Sequence, residues 1–367
     1  MKKLNFIIKC GLALLLLSFY SCESWLNVTP SDRLSEEMLF NDREGFVKAL
    51  NGVYIELNTN ELYGRNLTAG ALDVMGQYYS VASSSHAFYN YGGLVYTGND
   101  EKALFDNMWQ KCYAVIACCN TIIEKCDENK AGLSPVWKGA IKGEALALRA
   151  MLHFDMLRLF GPLTSELDKE SIPYQTNSDQ TVTPLLSGSE VVGLILDDLK
   201  NAVGLLKDTD PYFVEEEFSD TDLNYRRFRM NYFAAKGLMA RVQLWGGDKE
   251  KAAATAKEVI AEGQAEGAEF FPFVTNSEAT SSNPDRVFYS EVLFGTYHSS
   301  REKLHEDLFA PTLESTSILT LAGTARRDDL YDNENDYRYS VWSTYNKNGT
   351  SVLYHRKFEK QDNVTSG

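Results

Sequence analysis

Residues 143–163 read GEALALRAMLHFDMLRLFGPL. With Ile141 just ahead of them, Ala145, Leu148, Leu152, Met156 and Leu159 recur at three- and four-residue steps, which places them on one face of an α-helix. Ser134-Pro135 supplies an N-cap and a first-turn proline upstream, and Gly161-Pro162 stops the helix. Ahead of it, Trp109, Tyr113, Ile116, Asn120 and Ile123 keep the same spacing through 107–128, with Asn120 the one amide, placed to bond to a neighbouring helix. The two segments predict an antiparallel helical hairpin. A third helix is predicted over 190–206, with Val192, Ile195, Leu199, Val203 and Leu206 on one face. A second hairpin follows. Tyr232, Ala235, Met239 and Val242 line its first helix, Gly246-Gly247-Asp248 makes the turn and cap, and Ala252, Ala256 and Val259 line its partner. Small residues at Ala240 and Ala252 permit close approach.

This second pair resembles a degenerate tetratricopeptide unit, whose period is about 34 residues and which buries its face only against its neighbours. The signature aromatics of that repeat are mostly absent. After Phe271 the character changes. Residues 286–297 (RVFYSEVLFGTY) predict a strand, and 339–345 and 351–358 flank Asn346-Lys347-Asn348-Gly349, whose Asn-Gly pair signals a β-hairpin. The expected fold class is mainly α: tetratricopeptide-like helix pairs with a loop-rich, partly β region. The expected divisions are an export signal over 1–21, a leader and helical body over 22–270, and a mixed region over 271–367. No closing element follows the hairpin, so the chain is expected to be truncated at its C-terminus.

The 367 residues carry 36 Lys+Arg against 51 Asp+Glu, a net charge of −15 that argues against nucleic-acid binding. A 44% hydrophobic and 24% charged composition with only 9 Pro excludes wholesale disorder and fibrous designs. Lys2, Lys3 and Lys9 precede an apolar run over 11–19 (GLALLLLSF), about half the ~20 residues a spanning helix needs. This is a secretory signal, not an anchor helix. Ser21 before Cys22 resembles the lipobox junction of bacterial lipoproteins, in a loose version because of Phe19 and Tyr20. Cys22 would then be the lipidated first residue; the alternative is cleavage nearby with Cys22 a plain thiol. Acyl chains contribute about 0.8 kcal/mol per buried CH₂, so several on one residue hold a domain at a membrane without a spanning segment. Downstream, Cys112, Cys119 and Cys126 repeat every seven residues, ~10.5 Å apart on a helix. They are too far apart for a disulfide or a shared zinc and are expected to be free, buried packing residues; with Cys118 on the same segment, the mature chain has no cysteine elsewhere for a disulfide to another element.

Several segments together resemble the SusD/RagB family, outer-membrane lipoproteins of Bacteroidetes that capture nutrients. They are CESWLN at 22–27 with Pro30, FNDREGFVKALNGVY at 40–54, WQKCYAVIACCN at 109–120, the alanine-arginine helix with its Gly-Pro break at 143–163, Glu291-Val292, and Arg326-Arg327-Asp328. Their order and spacing carry the resemblance, which covers nearly the whole chain; the family's final C-terminal helices are missing from it. The resemblance implies a helical body whose loop-rich face binds a glycan or peptide, without catalysis or cofactor. It also implies a lipid-anchored, surface-exposed protein at the outer membrane, sitting as a lid over a SusC-like TonB-dependent transporter.

Sugars present apolar C–H faces beside hydroxyls, which suits flat side chains with polar tips. Tyr78, Tyr79, Phe88, Tyr89, Tyr91 and Tyr96 crowd a Ser- and Gly-rich stretch over 77–100 (QYYSVASSSHAFYNYGGLVYTGND), and Tyr297, Trp342 and Tyr345 form a later group. The two groups are expected to converge on one exposed, ligand-binding arc. The competing expectation is that they pack the loop onto the helical body. Asp332, Glu334 and Asp336 alternate as in a calcium loop, but the sixth position lacks Gly and Ser343 stands where the bidentate Glu belongs, so a solvated acidic loop is expected. Glu215, Glu216 and Glu217 read as a solvated turn. The five histidines, His86, His153, His298, His305 and His355, lack metal-ligand spacing, and His153 reads as packing. No phosphate loop, G-x-G-x-x-G or G-x-S-x-G elbow occurs. The expected function is capture of oligosaccharides and their delivery to the transporter. The alternatives are a peptide-binding member of the same family, a secreted lipoprotein glycoside hydrolase whose carboxyl pair converges only in space, and a helical scaffold that binds only protein.

Overall fold

A computed structural model describes residues 36–360 apart from 180, 215–216, 219–220, 266–267, 282, 332 and 334. The export signal and Cys22 therefore lie outside the described residues. Helix α1 (Arg43–Leu57) starts at Asp42, whose carboxylate accepts from the Gly45 amide at 2.8 Å. The predicted helical hairpin is α2 (Asn99–Glu128) and α3 (Pro135–Phe160), the latter capped by Ser134 and ended at Gly161. Helix α4 (Gly188–Thr209) begins in a capping box, Ser187 with Glu190. Helices α5 (Tyr232–Trp245) and α6 (Lys249–Gly263) form the second predicted pair, with Asp248 accepting from the Lys251 amide at 3.0 Å. Between α3 and α4 the chain forms a short antiparallel ladder, β1 (Glu170–Pro173) with β2 (Leu185–Ser187).

Each of α2 to α6 packs on its neighbour in sequence, as a helical repeat array requires. Helix α3 is central and buried around most of its circumference. It comes so close to α4 that a Cβ on Gly143 would stand 2.7 Å from Leu206 Cγ, so glycine is what the approach demands. Two ionic networks pin the array. Glu144 of α3 meets Arg226 and Arg229 (Nε to Oε2 3.1 Å) and accepts from Tyr54 of α1 at 2.8 Å, while Asp210 takes Arg226 in a fork at 2.9 and 2.8 Å. Arg149 forks onto Asp198 of α4 at 2.7 Å on both bonds and donates to Asn120 Oδ1 at 2.9 Å, so the lone amide of the α2 stripe does reach its neighbour. His153 is packing, as expected. Gln175 N donates to its Nε2 and its Nδ1 meets the Arg149 carbonyl, which fixes the proton on Nδ1; the ring stacks on Tyr174 with centroids 4.0 Å apart.

Cys112, Cys119 and Cys126 are buried and Cys118 is exposed, all four as free thiols. Glu217 is more than a solvated turn: its carboxylate accepts from the Trp137 indole at 2.7 Å. The hairpin is β3 (Trp342–Lys347) against β4 (Thr350–His355), joined through Asn348 and Gly349 at φ 52° and 85°, the backbone that the Asn-Gly signal requires. The strand expected over 286–297 does not form. The Asp285 carboxylate accepts from the amides of Val287, Phe288 and Tyr289, and a 3-10 turn follows at Tyr289–Glu291. A side chain has satisfied the donors a ladder would have used. Asp332 and Glu334 lie outside the described residues, and Asp336 pairs with Arg338.

The apolar interior has two parts. The larger lies among the helices; the smaller joins Ala69, Ala71, Val74, Tyr79, Phe88 and Tyr91 to Leu304, Leu308, Phe309, Leu319, Leu321, Trp342 and Leu353. Segments from the two ends of the described chain thus build one core, which supports the surface described next.

Candidate functional site

The 77–100 segment is held by its own backbone devices. A helical turn at Ala71–Met75 gives way to Gln77 at φ 60°, and a second turn at Tyr89–Gly92 ends before Leu94 at φ 54°. Left-handed backbone at a non-glycine residue is costly and is retained where surrounding structure enforces it. The segment is tied to the later chain at two points. Ser80 N donates to Thr320 O at 2.7 Å, and the Tyr78 and Tyr331 hydroxyls lie 2.6 Å apart. Between these segments opens a cleft of about 670 Å³, walled by Gln77, Tyr79, Ser80, Tyr89 and Asn90 on one side and Ala322 and Arg326 on the other, with Gly92 and Gly93 also in its lining.

The structure does bring most of the expected aromatics together, though not as an exposed arc. Tyr79 stands 6.1 Å ring to ring from Trp342, and Tyr78 stands 6.5 Å from it. Tyr79, Phe88, Tyr91 and Trp342 are buried, Trp342 to 4% exposure, and Tyr78 and Tyr96 are half-buried against the same core. For the four buried rings, packing replaces the expected exposed surface: Tyr79 meets Phe309 and Trp342, Trp342 meets His355, and Phe88 and Tyr91 meet each other, with Tyr91 also against Phe105. Burial pushes the Tyr91 hydroxyl up to about 12 and raises those of Tyr78 and Tyr79. Tyr89 is different: 43% exposed, it lines the cleft. Tyr297 and Tyr345 are also exposed, at 66% and 42%, but neither lines the cleft. Tyr297 packs edge-on to Phe228, which also meets Tyr289, in a separate surface cluster.

Three polar residues that residue type alone did not single out complete the cleft. Gln77 donates from Nε2 to the carbonyls of Gly92 (3.1 Å) and Val74 (3.3 Å), and Asn90 donates from Nδ2 to Glu101 at 2.8 Å. Carbonyls and carboxylates only accept, so both amide orientations are fixed, and neither side-chain oxygen has a partner among the described residues. The Tyr79 hydroxyl is buried without a hydrogen-bond partner among the described residues. Arg326 completes the far wall. Across the 318–324 strip lies a second cavity of about 620 Å³, but no aromatic side chain lines it and its Lys347 is paired with Glu314 at 2.7 Å, so it offers no stacking face. Among the described residues no group of three His, Cys, Asp or Glu is placed to hold a metal, and no helix is long and apolar enough to cross a membrane.

A family model for SusD-like proteins, described as starch-binding associating with outer membrane, matches residues 24–244. SusD-like protein P2 of Formosa agariphila is 26% identical over 265 residues, covering 70% of this chain and 46% of that protein. A SusD-like protein of Bacteroides ovatus is 30% identical over 146 residues, covering 39% of this chain and 23% of that protein. The chain spans less than half the length of the curated relatives it matches. Among solved structures, a SusD-like carbohydrate binding protein from Bacteroides vulgatus aligns with a TM-score of 0.66 at 19% identity, over 88% of this chain and 66% of that one. A SusD superfamily protein from Bacteroides thetaiotaomicron aligns with a TM-score of 0.66 at 20% identity, over 86% and 69%. At such identities the likeness is one of fold, and it bears out the helix-pair architecture. With 24–244 making up more than half of its length, the chain belongs to the SusD-like family.

Proposed function

We propose that this protein is a non-catalytic, carbohydrate-binding lipoprotein of the outer membrane that captures oligosaccharides in the cleft between 77–95 and 322–326. It passes them to a TonB-dependent transporter and is tethered by lipid on Cys22. The observation that carries this reading is the cleft itself: an exposed tyrosine ring beside two amides with fixed, free acceptor oxygens, all held on a rigid core. A tyrosine face covers the C–H side of a sugar while amide oxygens accept from its hydroxyls. Family membership and the carbohydrate-binding relative of like fold support the ligand class. Among the described residues no Asp or Glu lines the cleft, whereas glycoside hydrolysis uses a carboxyl pair, which favours binding over turnover.

The test is calorimetric titration of the protein with soluble oligosaccharides and peptides, with product analysis of every ligand that binds. Reversible binding of an unchanged oligosaccharide, weakened about tenfold by Tyr89→Ala, is the expected result. Peptide binding alone would make it the peptide-binding member, and turnover would make it a hydrolase. Co-purification of the lipidated protein with a transporter tests the hand-off.

A further inference from the structure

We infer that the cleft selects acidic oligosaccharides: chains whose hydroxyls face the Gln77–Asn90 wall and whose anionic substituent, a carboxylate or a sulfate ester, meets Arg326. The inference rests on the reading of this cleft as the glycan site and adds the charge of the ligand. Three observations carry it. Among the described residues Arg326 is the one charged residue lining the cleft, in a chain whose net charge is −15. It makes no ion pair or hydrogen bond with another described residue, whereas other cations that follow it in the chain are engaged: Arg327 with Asp328 at 2.9 Å, Arg338 with Asp336, and Lys347 with Glu314. Glu101, the carboxylate that accepts from Asn90, is buried and does not line the cleft.

The donor and acceptor balance points the same way. Gln77 has both N–H groups occupied and offers an acceptor only, and Asn90 spends one N–H on Glu101 and keeps its oxygen free, so this wall suits ligand hydroxyls and brings no positive charge to an anion. The guanidinium of Arg326 is the charged donor of the lining, beside the neutral hydroxyls of Ser80 and Tyr89. A guanidinium presents a planar fork that matches a carboxylate or sulfate edge, and a charge-assisted bond of this kind is roughly twice as strong as a neutral one. A neutral sugar would leave that fork facing water. The overall acidity of the chain repels anionic polymers at long range, so the preference is local to the cleft and is screened by salt.

The test titrates wild type, Arg326→Gln and Tyr89→Ala with three probes of equal length: an oligogalacturonate, its carboxyl-reduced neutral twin, and a sulfated galacto-oligosaccharide. Arg326 is exposed and unbonded, so its replacement leaves the fold intact. The expected result is that wild type binds at least one anionic probe about tenfold or more tighter than the neutral twin. Arg326→Gln erases that margin, bringing the anionic probes down to the affinity of the neutral twin, and added salt narrows it in wild type alone. Which anionic probe shows the margin distinguishes carboxylate from sulfate. Equal binding of all three, lost together in Tyr89→Ala, overturns the charge preference and leaves the capture reading standing. A margin that survives Arg326→Gln overturns it as well. Binding of none, or binding indifferent to Tyr89→Ala, overturns both.

Discussion

Replacing Glu144 by Gln keeps the volume of a side chain that is fully buried on the central helix and removes one negative charge. Around it the structure holds two arginines against two carboxylates: Arg226 between Asp210 and Glu144, and Arg229 on Glu144 at 3.1 Å. The Tyr54 hydroxyl donates to the same carboxylate at 2.8 Å and in turn accepts from Met230 N at 2.7 Å. A glutamine leaves two cations facing one anion in the interior. It also turns an NH₂ donor toward groups that are donors themselves. Breaking a buried pair from one side costs about 3–5 kcal/mol, a large share of the roughly 5–15 kcal/mol that folded proteins have. Equilibrium urea unfolding of Glu144→Gln should therefore show a far lower midpoint than wild type. The exposed pair Lys48–Glu44, at 3.4 Å, supplies the control: Lys48→Ala should leave the midpoint unchanged. A Glu144→Gln loss below about 1 kcal/mol would refute the claim that this network pins the array.

Glycines on α3 and α4 should behave oppositely. Gly143→Val should destabilise by about 1–3 kcal/mol through its clash with Leu206, while Gly204→Ala, exposed with nothing within 4 Å, should stabilise by roughly 0.5–1 kcal/mol; thermal unfolding of both checks this. Trp342→Ala should lose about 3–5 kcal/mol because it empties the second core, with any binding defect following from unfolding, whereas Tyr89→Ala should bind weakly with an unchanged melting temperature. Burial lowers His153 and His355 to about 3, so both stay neutral in the folded protein and charge near 6.5 once unfolded. The folded state thus binds fewer protons. Stability is full above pH 6.5 and falls as pH drops toward 3, by up to about 2 kcal/mol per histidine between neutral pH and pH 5. Urea midpoints at pH 7.5 and pH 5 read this directly, and equal midpoints would contradict it.

The helices were legible because their ends are written in side chains: Ser134-Pro135, the Ser187–Glu190 box and Asp248 each act through contacts within one turn. Helix α2 begins at Asn99, earlier than its apolar stripe suggests, since its first turns carry acids such as Asp100 and Glu101 that favour a helix N-terminus without marking a core face. The Asn-Gly turn fixed the hairpin in the same local way. Residues 286–297 misled because their apolar run fits a strand equally well, and only the reach of one carboxylate, Asp285, decides against it. At the site, residue type pointed to the 77–100 segment but not to which rings face water. That is settled by a partner segment far along the chain, as in Tyr78 with Tyr331, 253 positions apart. Gln77 and Asn90 were missed because an amide becomes informative only when its partners fix which end is free, and Arg326 carried no signal beyond its place in a family landmark.

Hydrogen exchange of the protein saturated with a bound oligosaccharide tests the location of capture most directly. Protection confined to 77–95 and 320–326 is the predicted result. Protection instead at the Phe228, Tyr289 and Tyr297 cluster, or at neither surface, would contradict the assignment of the cleft.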